Sequence, residues 1–568
     1  MTRPPLRVGN ASGFYGDRFS AMQEMLEGGP LDVLTGDYLS ELTLLILGRD
    51  RSKDPALGYA KTFQRQMKAC LATAIAKRVR IVVNAGGLNP VGLAAALRKL
   101  AGELGVTARI AHVEGDDLLP RAAALGLGAP LTANAYLGAW GIAACLDAGA
   151  DVVITGRVTD ASLVVGAAAA HFGWGREDWD ALAGAVVAGH VLECGTQATG
   201  GNFAFFTELA LGKAGFPIAE IEADGGCVIT KHPATGGAVT VDTVLAQLVY
   251  EIGGARYAGP DVTTRFDTVE LSQEGPDRVR VRGAIGEPPP PTAKVCLNHI
   301  GGFRNDVSFV LVGLDIDEKA RLVRAQLEAS LPRRPRELVW TLARTDREDA
   351  DDEARASAIL RAVAKDPDPS VVGRAFSGAA VELGLGSYPG FTLTAPPSDG
   401  SPYGVFTAAY VDAAAVEHVA VLPDGARVVI APSTTTRALT EVAPPPLPTP
   451  PSRGETVRAP LGRVIGARSG DKGGDANLGV WARDDDAFAW LAHTLDVEEL
   501  RALLPETKPF AIERHVFPRL RAMNFVVRGL LGEGVASSTR FDPQGKALGE
   551  WLRARHVDVP RALLQRGR

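Results

Sequence analysis

Across the first half of the chain, short runs of β-branched and aliphatic residues alternate with longer stretches whose apolar positions recur at helical spacing, and each run ends in a polar, glycine-bearing turn. LRV (Leu6 to Val8) precedes GNASGFYGD, and LDVL (Leu31 to Leu34) precedes TGDY. RIVV (Arg80 to Val83) precedes NAGGLNP, ARIAHV (Ala108 to Val113) precedes EGDD, and DVVI (Asp151 to Ile154) precedes TGRVTDAS. Parallel neighbours need a long crossover, usually a helix, so this alternation predicts a parallel sheet with crossover helices. Between the second and third runs, Phe63, Met67, Cys70, Leu71, Ala74 and Ile75 fall on one helical face, which places Cys70 in the core. Phe19, Met22, Met25 and Leu26 form the stripe of a helix after the first loop.

From about Pro260 the runs lengthen to RVRVRGAI, KVCLNHI, DVSFVLVGLD and ELVWTLA, with helical patterns after Asp317 and Asp352, the signature of an α+β region on a mostly antiparallel sheet. EVAPPPLPTPPSRGETVRAP (Glu441 to Pro460) favours extended polyproline II backbone and reads as a linker. Beyond it come RVIGAR, the polar loop SGDKGGDAN, LGVWA, two helices, FAIERHV, NFVVRGLL and a final helix from about Asp542. The expected fold class is therefore α/β in a large N-terminal domain with a mostly parallel sheet (residues 1–255), followed by an α+β domain (256–440), a linker (441–459) and a small α+β domain (460–568). Ala122 to Leu146 carries no charge, but Pro130, Asn134 and four glycines interrupt it, which predicts a loop and a buried helix rather than a membrane span.

The 568 residues suit several domains with their own cores. With 60 Lys+Arg against 66 Asp+Glu, the net charge is −6, so no cationic field favours nucleic acid as a partner. Cys70, Cys145, Cys194, Cys227 and Cys296 are odd in number and widely spaced, which argues against disulfides and cysteine zinc sites and fits a reducing, cytoplasmic setting. The start, MTRPPLRVGN, lacks the apolar core of a signal peptide. No H-E-x-x-H, G-x-S-x-G, kinase set or histidine pair at metal spacing occurs, so no metal ligands are assigned. The 64 glycines are in excess, and they cluster.

Ligands of open parallel sheets bind where loops at the carboxyl ends of strands converge. Asn10, Asp37, Asn84, Glu114, Arg157 and Asp160 should share that edge. In the first loop, Asn10, Ser12 and Gly13 suit an anion or carbonyl oxygen, although the spacing matches neither the dinucleotide fingerprint nor the P-loop. Asn84, Gly86 and Gly87 repeat the arrangement before Pro90. Each has a plainer account: a tight strand-to-helix turn for the glycines, a helix cap for Asp160, an internal ion pair for Arg157.

His190, Glu193 and Cys194 end a helical pattern, and with Asp37 they are the candidate acid, base or nucleophile. Thr196, Gln197 and Gly200 in the following turn could supply oxyanion donors. A buried histidine and cysteine, continuous with Leu182 and Val186, is the plainer account of the same face. Lys231, His232 and Thr235 combine a cation with a Thr-Gly-Gly turn that suits a phosphate or thioester carbonyl, or simply turns at the surface. In KVCLNHIGGFRND, Cys296 alternates onto the face of Lys294 and Asn298, which predicts partial exposure, and Gly301 to Asn305 read as a polar hairpin turn. Lys472 and Asp475 lie in a loop with more charge and glycine than a hairpin needs, and either reach the large domain's crevice or are solvated.

VGNASGFYGDR, VVNAGGLNP, TGRVTDASLVVG, GHVLECGTQATGGNF, ITKHPATGGAVTVDTV and ARSGDKGGDANLGVW resemble, in order, the acyclic terpene utilisation protein A family, from about residue 5 to 437. A ferredoxin-like C-terminal region is similar from about 460 to 556. The resemblance implies a place in bacterial catabolism of citronellol, geraniol and related branched acids, whose intermediates are coenzyme A thioesters handled with a biotin-dependent acyl-CoA carboxylase. No catalytic residue carries over with it.

Two readings follow. One is an enzyme that hydrates, cleaves or isomerises a branched acyl-CoA, with coenzyme A entering only as part of the substrate and no tightly bound cofactor. The other is a noncatalytic CoA-binding or assembly partner of the carboxylase. A homo-oligomer is expected on either reading.

Overall fold

A computed structural model of the chain describes residues 3–451 and 454–566. Its largest sheet has eleven strands, in the order Glu270–Gly275, Arg278–Arg282, Cys227–Lys231, Pro217–Ile221, Leu6–Asn10, Val33–Gly36, Arg80–Val83, Val152–Thr155, Ile110–Glu114, Val419–Val421 and Arg427–Val429. The five strands from Leu6–Asn10 to Ile110–Glu114 are mutually parallel. They are the five runs singled out by sequence. The flanking strands are antiparallel: hairpins join Pro217–Ile221 to Cys227–Lys231, Glu270–Gly275 to Arg278–Arg282 and Val419–Val421 to Arg427–Val429, and the remaining antiparallel pairs bring together segments distant in the chain.

Strands Val33–Gly36 and Val152–Thr155 are buried at every position, as a parallel sheet covered on both faces requires. Alternate residues divide between two cores. Leu34, Ile81, Val83, Ile110, Val152 and Ile154 pack with helices Ala21–Gly28, Lys61–Lys77 and Pro90–Glu103. Val8, Val33, Val82, Ala111, Val113 and Val153 pack with Trp140–Asp147, Ser162–Phe172 and Trp179–Glu193. Cys70 is buried in the first core. Helix Pro90–Glu103 starts as its sequence suggests, with Pro90 in the first turn and Asn89 capping Gly92. Phe19 lies before the first helix and is 46% exposed, so the stripe begins at Met22.

The chain divides differently from the sequence-based scheme. One unit runs through Asn298 and resumes at Phe406–Val535 and from Asp542; the other comprises His299–Val405 and Ala536–Phe541. No boundary falls at residue 255, because Glu270–Gly275 and Arg278–Arg282 extend the large sheet. In the smaller unit, strands Glu337–Ala343 and Ser357–Asp366 and residues 303–312 pair antiparallel and pack on helices Ile316–Ser330 and Arg374–Glu382. The expected helix after Asp352 is replaced by strand Ser357–Asp366.

Two other expectations fail in one strand. Thr292–Val312 is a single strand, so Gly301 to Asn305 make no hairpin turn. Its start pairs with Thr132–Ala135, a strand within the uncharged stretch, and Cys296 is wholly buried against Leu39, Leu44 and Tyr136. Val295–Asn298 is buried at all four positions, so alternation there has no exposed side to report.

After the proline-rich segment, Thr456–Pro460 pairs with His556–Pro560, so the expected linker closes earlier than residue 459; its positions 452 and 453 lie outside the described residues. Strands Ile465–Lys472, Asp475–Ala482, Ala522–Val527 and Ile512–Phe517 form an antiparallel sheet with its own core, packed by helices Asp485–Thr494, Val497–Leu503 and Leu548–Ala554. SGDKGGDAN is thus mostly strand, with a tight turn at Gly473 and Gly474, and the final helical pattern starts at Leu548 rather than Asp542.

Candidate active site

The loops at the carboxyl ends of the parallel strands interlock. Asn10 donates its side-chain amide to the carbonyl of Leu192 at 2.6 Å and of Glu193 at 3.3 Å, satisfying the end of helix Trp179–Glu193. A Cβ on Gly13 would lie 2.8 Å from the Cys194 carbonyl carbon, so only glycine lets this loop seat against that helix end. The Ser12 carbonyl accepts the Asp37 amide at 2.9 Å, and its hydroxyl donates to the Phe14 carbonyl. Asp37 accepts from Asn84 Nδ2 at 2.5 Å and from the Leu39 amide at 3.1 Å. Gly86 donates its amide to the Thr155 carbonyl and would bring a Cβ within 2.5 Å of that oxygen, while Gly87 adopts φ +54°. Both are glycines of packing and turning.

Arg157 is 3% exposed. Its guanidinium donates to Asp160 at 2.6 Å and to the Leu39 carbonyl at 3.4 Å, and lies 4.3 Å from the centre of the Tyr136 ring. Tyr136 donates to Glu41 at 2.8 Å, and Lys294 sits 4.7 Å from the same ring. His190 is wholly buried, with Nδ1 3.0 Å from Glu193 Oε1 and its ring beside Tyr257 and Phe266. The C-terminal hairpin completes the cluster: Lys472 donates to the Glu251 carbonyl at 2.5 Å and lies 5.1 Å from the Tyr257 ring centre.

Six carboxyls, Asp37, Glu41, Asp160, Glu193, Glu251 and Asp471, interact here with three cations, Arg157, Lys294 and Lys472. Carboxyls outnumber cations in this partly desolvated cluster, which favours the protonated form of Asp37, Glu193, Glu251 and Asp471. Burial, then Asp160, raises Asp37 and Glu193 well above the usual carboxyl range. Burial likewise raises Glu251, and with Glu251 and Glu41 nearby it brings Asp471 to about 7. For Glu41 burial also acts upward, but Lys294 and Arg157 outweigh it and leave the group at about 2. Burial, then Lys472, lowers His190 to about 4, so the imidazole is neutral. Burial, with Glu251 and Glu193 beside it, pushes the Cys194 thiol well up, which makes it a poor nucleophile. The arrangement suits proton transfer rather than thiolate attack.

Other candidates have different partners. Glu114 ends its strand at the same edge but is engaged by His112 and Arg427. Lys231 donates to the Thr235 carbonyl at 2.8 Å and pairs with Asp277; His232 contacts the Met25 carbonyl; Thr235 donates to the His232 carbonyl. These three build their own turn. Gln197 accepts from Arg468, Thr196 offers its carbonyl to Thr199 and Gly201, and Gly200 takes φ +109° at the turn's end. Asp475 holds Arg528 and the Gly529 amide. A cavity of about 450 Å³ lined by Thr240, Asp242, Leu271, Arg483 and Arg519 shares no residue with the cluster, and its guanidiniums are already paired with Glu208, Asp242 and Glu270. Among the described residues no three His, Cys, Asp or Glu converge as a metal would require.

Glu41, Tyr136, Glu251 and Tyr257 escaped the sequence reading, and Lys294 entered it only as a neighbour of Cys296 on its strand. Asp471 lay in view, next to Lys472 in SGDKGGDAN.

The fold and the cluster define an α/β protein with a buried acid–base set at the carboxyl edge of its parallel strands, completed by a C-terminal domain. Residues 6–422 match the acyclic terpene utilisation family protein AtuA, and residues 459–558 match the AtuA ferredoxin-like domain. The chain belongs to this family, which places it in acyclic terpene utilisation. Neither the curated proteins nor the solved structures hold a significant match to it. No helix among the described residues is long and apolar enough to cross a membrane.

Proposed function

We propose that the chain is an enzyme that moves protons at a branched acyl-CoA thioester, by hydration, lysis or isomerisation beside the carbonyl. What supports this reading most is the surplus of carboxyls over cations in the buried cluster. Such a set holds protons at neutral pH and can both take one and give one. For dehydration, an ionised member takes the proton from the α-carbon while protonated Glu193 gives its proton to the β-hydroxyl. The C–O bond breaks, and the products are the unsaturated thioester and one water; hydration is the reverse. Arg157, which keeps its charge, favours negative charge building on the thioester oxygen.

The test is incubation of the purified protein with geranyl-CoA and with its carboxylated and hydrated derivatives, alone and with a biotin-dependent acyl-CoA carboxylase, followed by mass spectrometry. Gain or loss of one water, or cleavage, is expected for at least one thioester, and Glu193→Gln should abolish it. Unchanged masses in every pairing overturn the reading, and co-purification with the carboxylase without turnover would assign the chain to a partner role instead.

A further inference from the structure

Glu251 follows helix Val241–Leu248 with φ +56°, in the left-handed region that side chains other than glycine rarely enter. The C-terminal domain holds both of its backbone groups. Its amide donates to Asn477 Oδ1 at 2.7 Å, and its carbonyl accepts the Lys472 ammonium. Asn477 is wholly buried and donates to the Val249 and Ile252 carbonyls and to Asn524, which in turn donates to the Ile252 and Gly253 carbonyls. Arg468 lies 4.5 Å from the Tyr250 ring centre, and Gly470 leaves no room for a Cβ against that ring. Backbone strain persists only where its surroundings over-determine it, and it gathers at reactive sites.

We propose that Glu251 is a working acid of this site and that Lys472 and Asn477, from the C-terminal hairpin, position it, so that the ferredoxin-like domain is part of the reactive centre. The inference rests on the acid–base reading for what the acid does, but its test needs no substrate. Several elements bring charge or titratable groups to Glu251. Tyr250 adjoins it, the helix Trp179–Glu193 supplies His190, Glu193 and then Cys194, and Tyr257 faces it from strand Arg256–Ala258. Glu41 and Asp160 complete the large-domain side, with Arg157 and Lys294 beside Glu41, and Asp471 and Lys472 face it from the hairpin. Burial raises Glu251, and the Tyr250 hydrogen bond and then Lys472 favour its ionised form; Lys472 also favours the ionised form of Glu193, against burial and the other carboxyls.

Infrared spectra of the full-length protein across pH read the carbonyl stretch of protonated, buried carboxyls. Part of that band should be present at neutral pH and be lost in Glu251→Gln. Lys472→Met should keep the band to a pH higher by about one unit, since an opposite charge at close range has been removed, and Lys472→Arg should restore the original titration. An unshifted band in a folded Lys472→Met, or an intact band in Glu251→Gln, overturns the inference. If Lys472→Met does not fold, Glu251→Gln, which keeps the backbone hydrogen bonds, decides alone. A Lys472-dependent band without turnover of any thioester sinks the enzyme reading and leaves this inference standing; turnover with an unmoved band does the reverse.

Discussion

Asn10, the last residue of the first strand, donates to the carbonyl of Leu192, so the sheet's central edge carries the end of a helix formed far along the chain. Asn10→Ala leaves the carbonyls of Leu192 and Glu193 without that donor in a buried setting. The expected cost is about 1–3 kcal/mol in urea unfolding, with loss of any turnover that depends on the placement of Glu193.

Arg157 is a buried cation among carboxyls. Arg157→Met removes the charge, leaves Asp160 without its guanidinium partner and strips Tyr136 of the cation beside its ring. Arg157 is buried but Asp160 is 30% exposed, so water relieves part of the cost, and a loss of about 1–3 kcal/mol should appear as a lower urea midpoint. Glu41 should then ionise at higher pH, since Arg157 is one of the two cations holding it down.

Much of this architecture was legible because parallel strands buried on both faces must be continuous β-branched runs, and Arg80–Val83 stands where the pattern put it. Convergence of Asn10, Asp37, Asn84, Arg157 and Asp160 follows from topology alone, since each ends or follows a parallel strand. Tyr136 and Lys294 meet through antiparallel pairing between distant segments, which leaves no periodic trace. Glu251 hid its left-handed turn by not being glycine. Lys231, His232 and Thr235 read as ligands because a polar glycine turn looks the same whether it binds a guest or its own backbone.

Asp116 accepts the Arg157 amide and the Asn134 side chain, each at 2.8 Å, yet burial outweighs these bonds and raises it to about 7. Between about pH 4 and 7 the unfolded chain therefore gives up a proton that the folded chain keeps, so this group's contribution to stability declines as pH rises. Asp116→Asn lacks that contribution. Its stability relative to the parent should improve by about 1.4 kcal/mol per pH unit across the window and level off outside it, which urea unfolding at several pH values measures. A difference that does not vary with pH means that Asp116 is ionised in the folded protein.

Asp471 and Asp475 stand four residues apart with different duties. Asp475 is bound to Arg528 at 2.6 Å and to the Gly529 amide at 2.8 Å, on a half-exposed part of the hairpin. Asp475→Ala should cost about 1 kcal/mol or less and leave turnover intact. Asp471→Asn removes a member of the proton-holding set and should shift the pH profile of the same reaction.

The left-handed backbone of Glu251 gives a last measurement that separates strain from side-chain chemistry. Glu251→Ala and Glu251→Gly both delete the carboxyl, but only glycine relieves the φ of +56°. If Asn477 and Lys472 hold that conformation against its preference, the glycine variant should be the more stable of the two by about 1 kcal/mol in equilibrium unfolding, the cost of placing a Cβ in this region. Both variants should lose turnover equally, since neither retains an acid at this position. An alanine variant as stable as the glycine one would show that the backbone relaxes when the carboxylate leaves, and that the carboxyl, rather than the hairpin, keeps the turn in place.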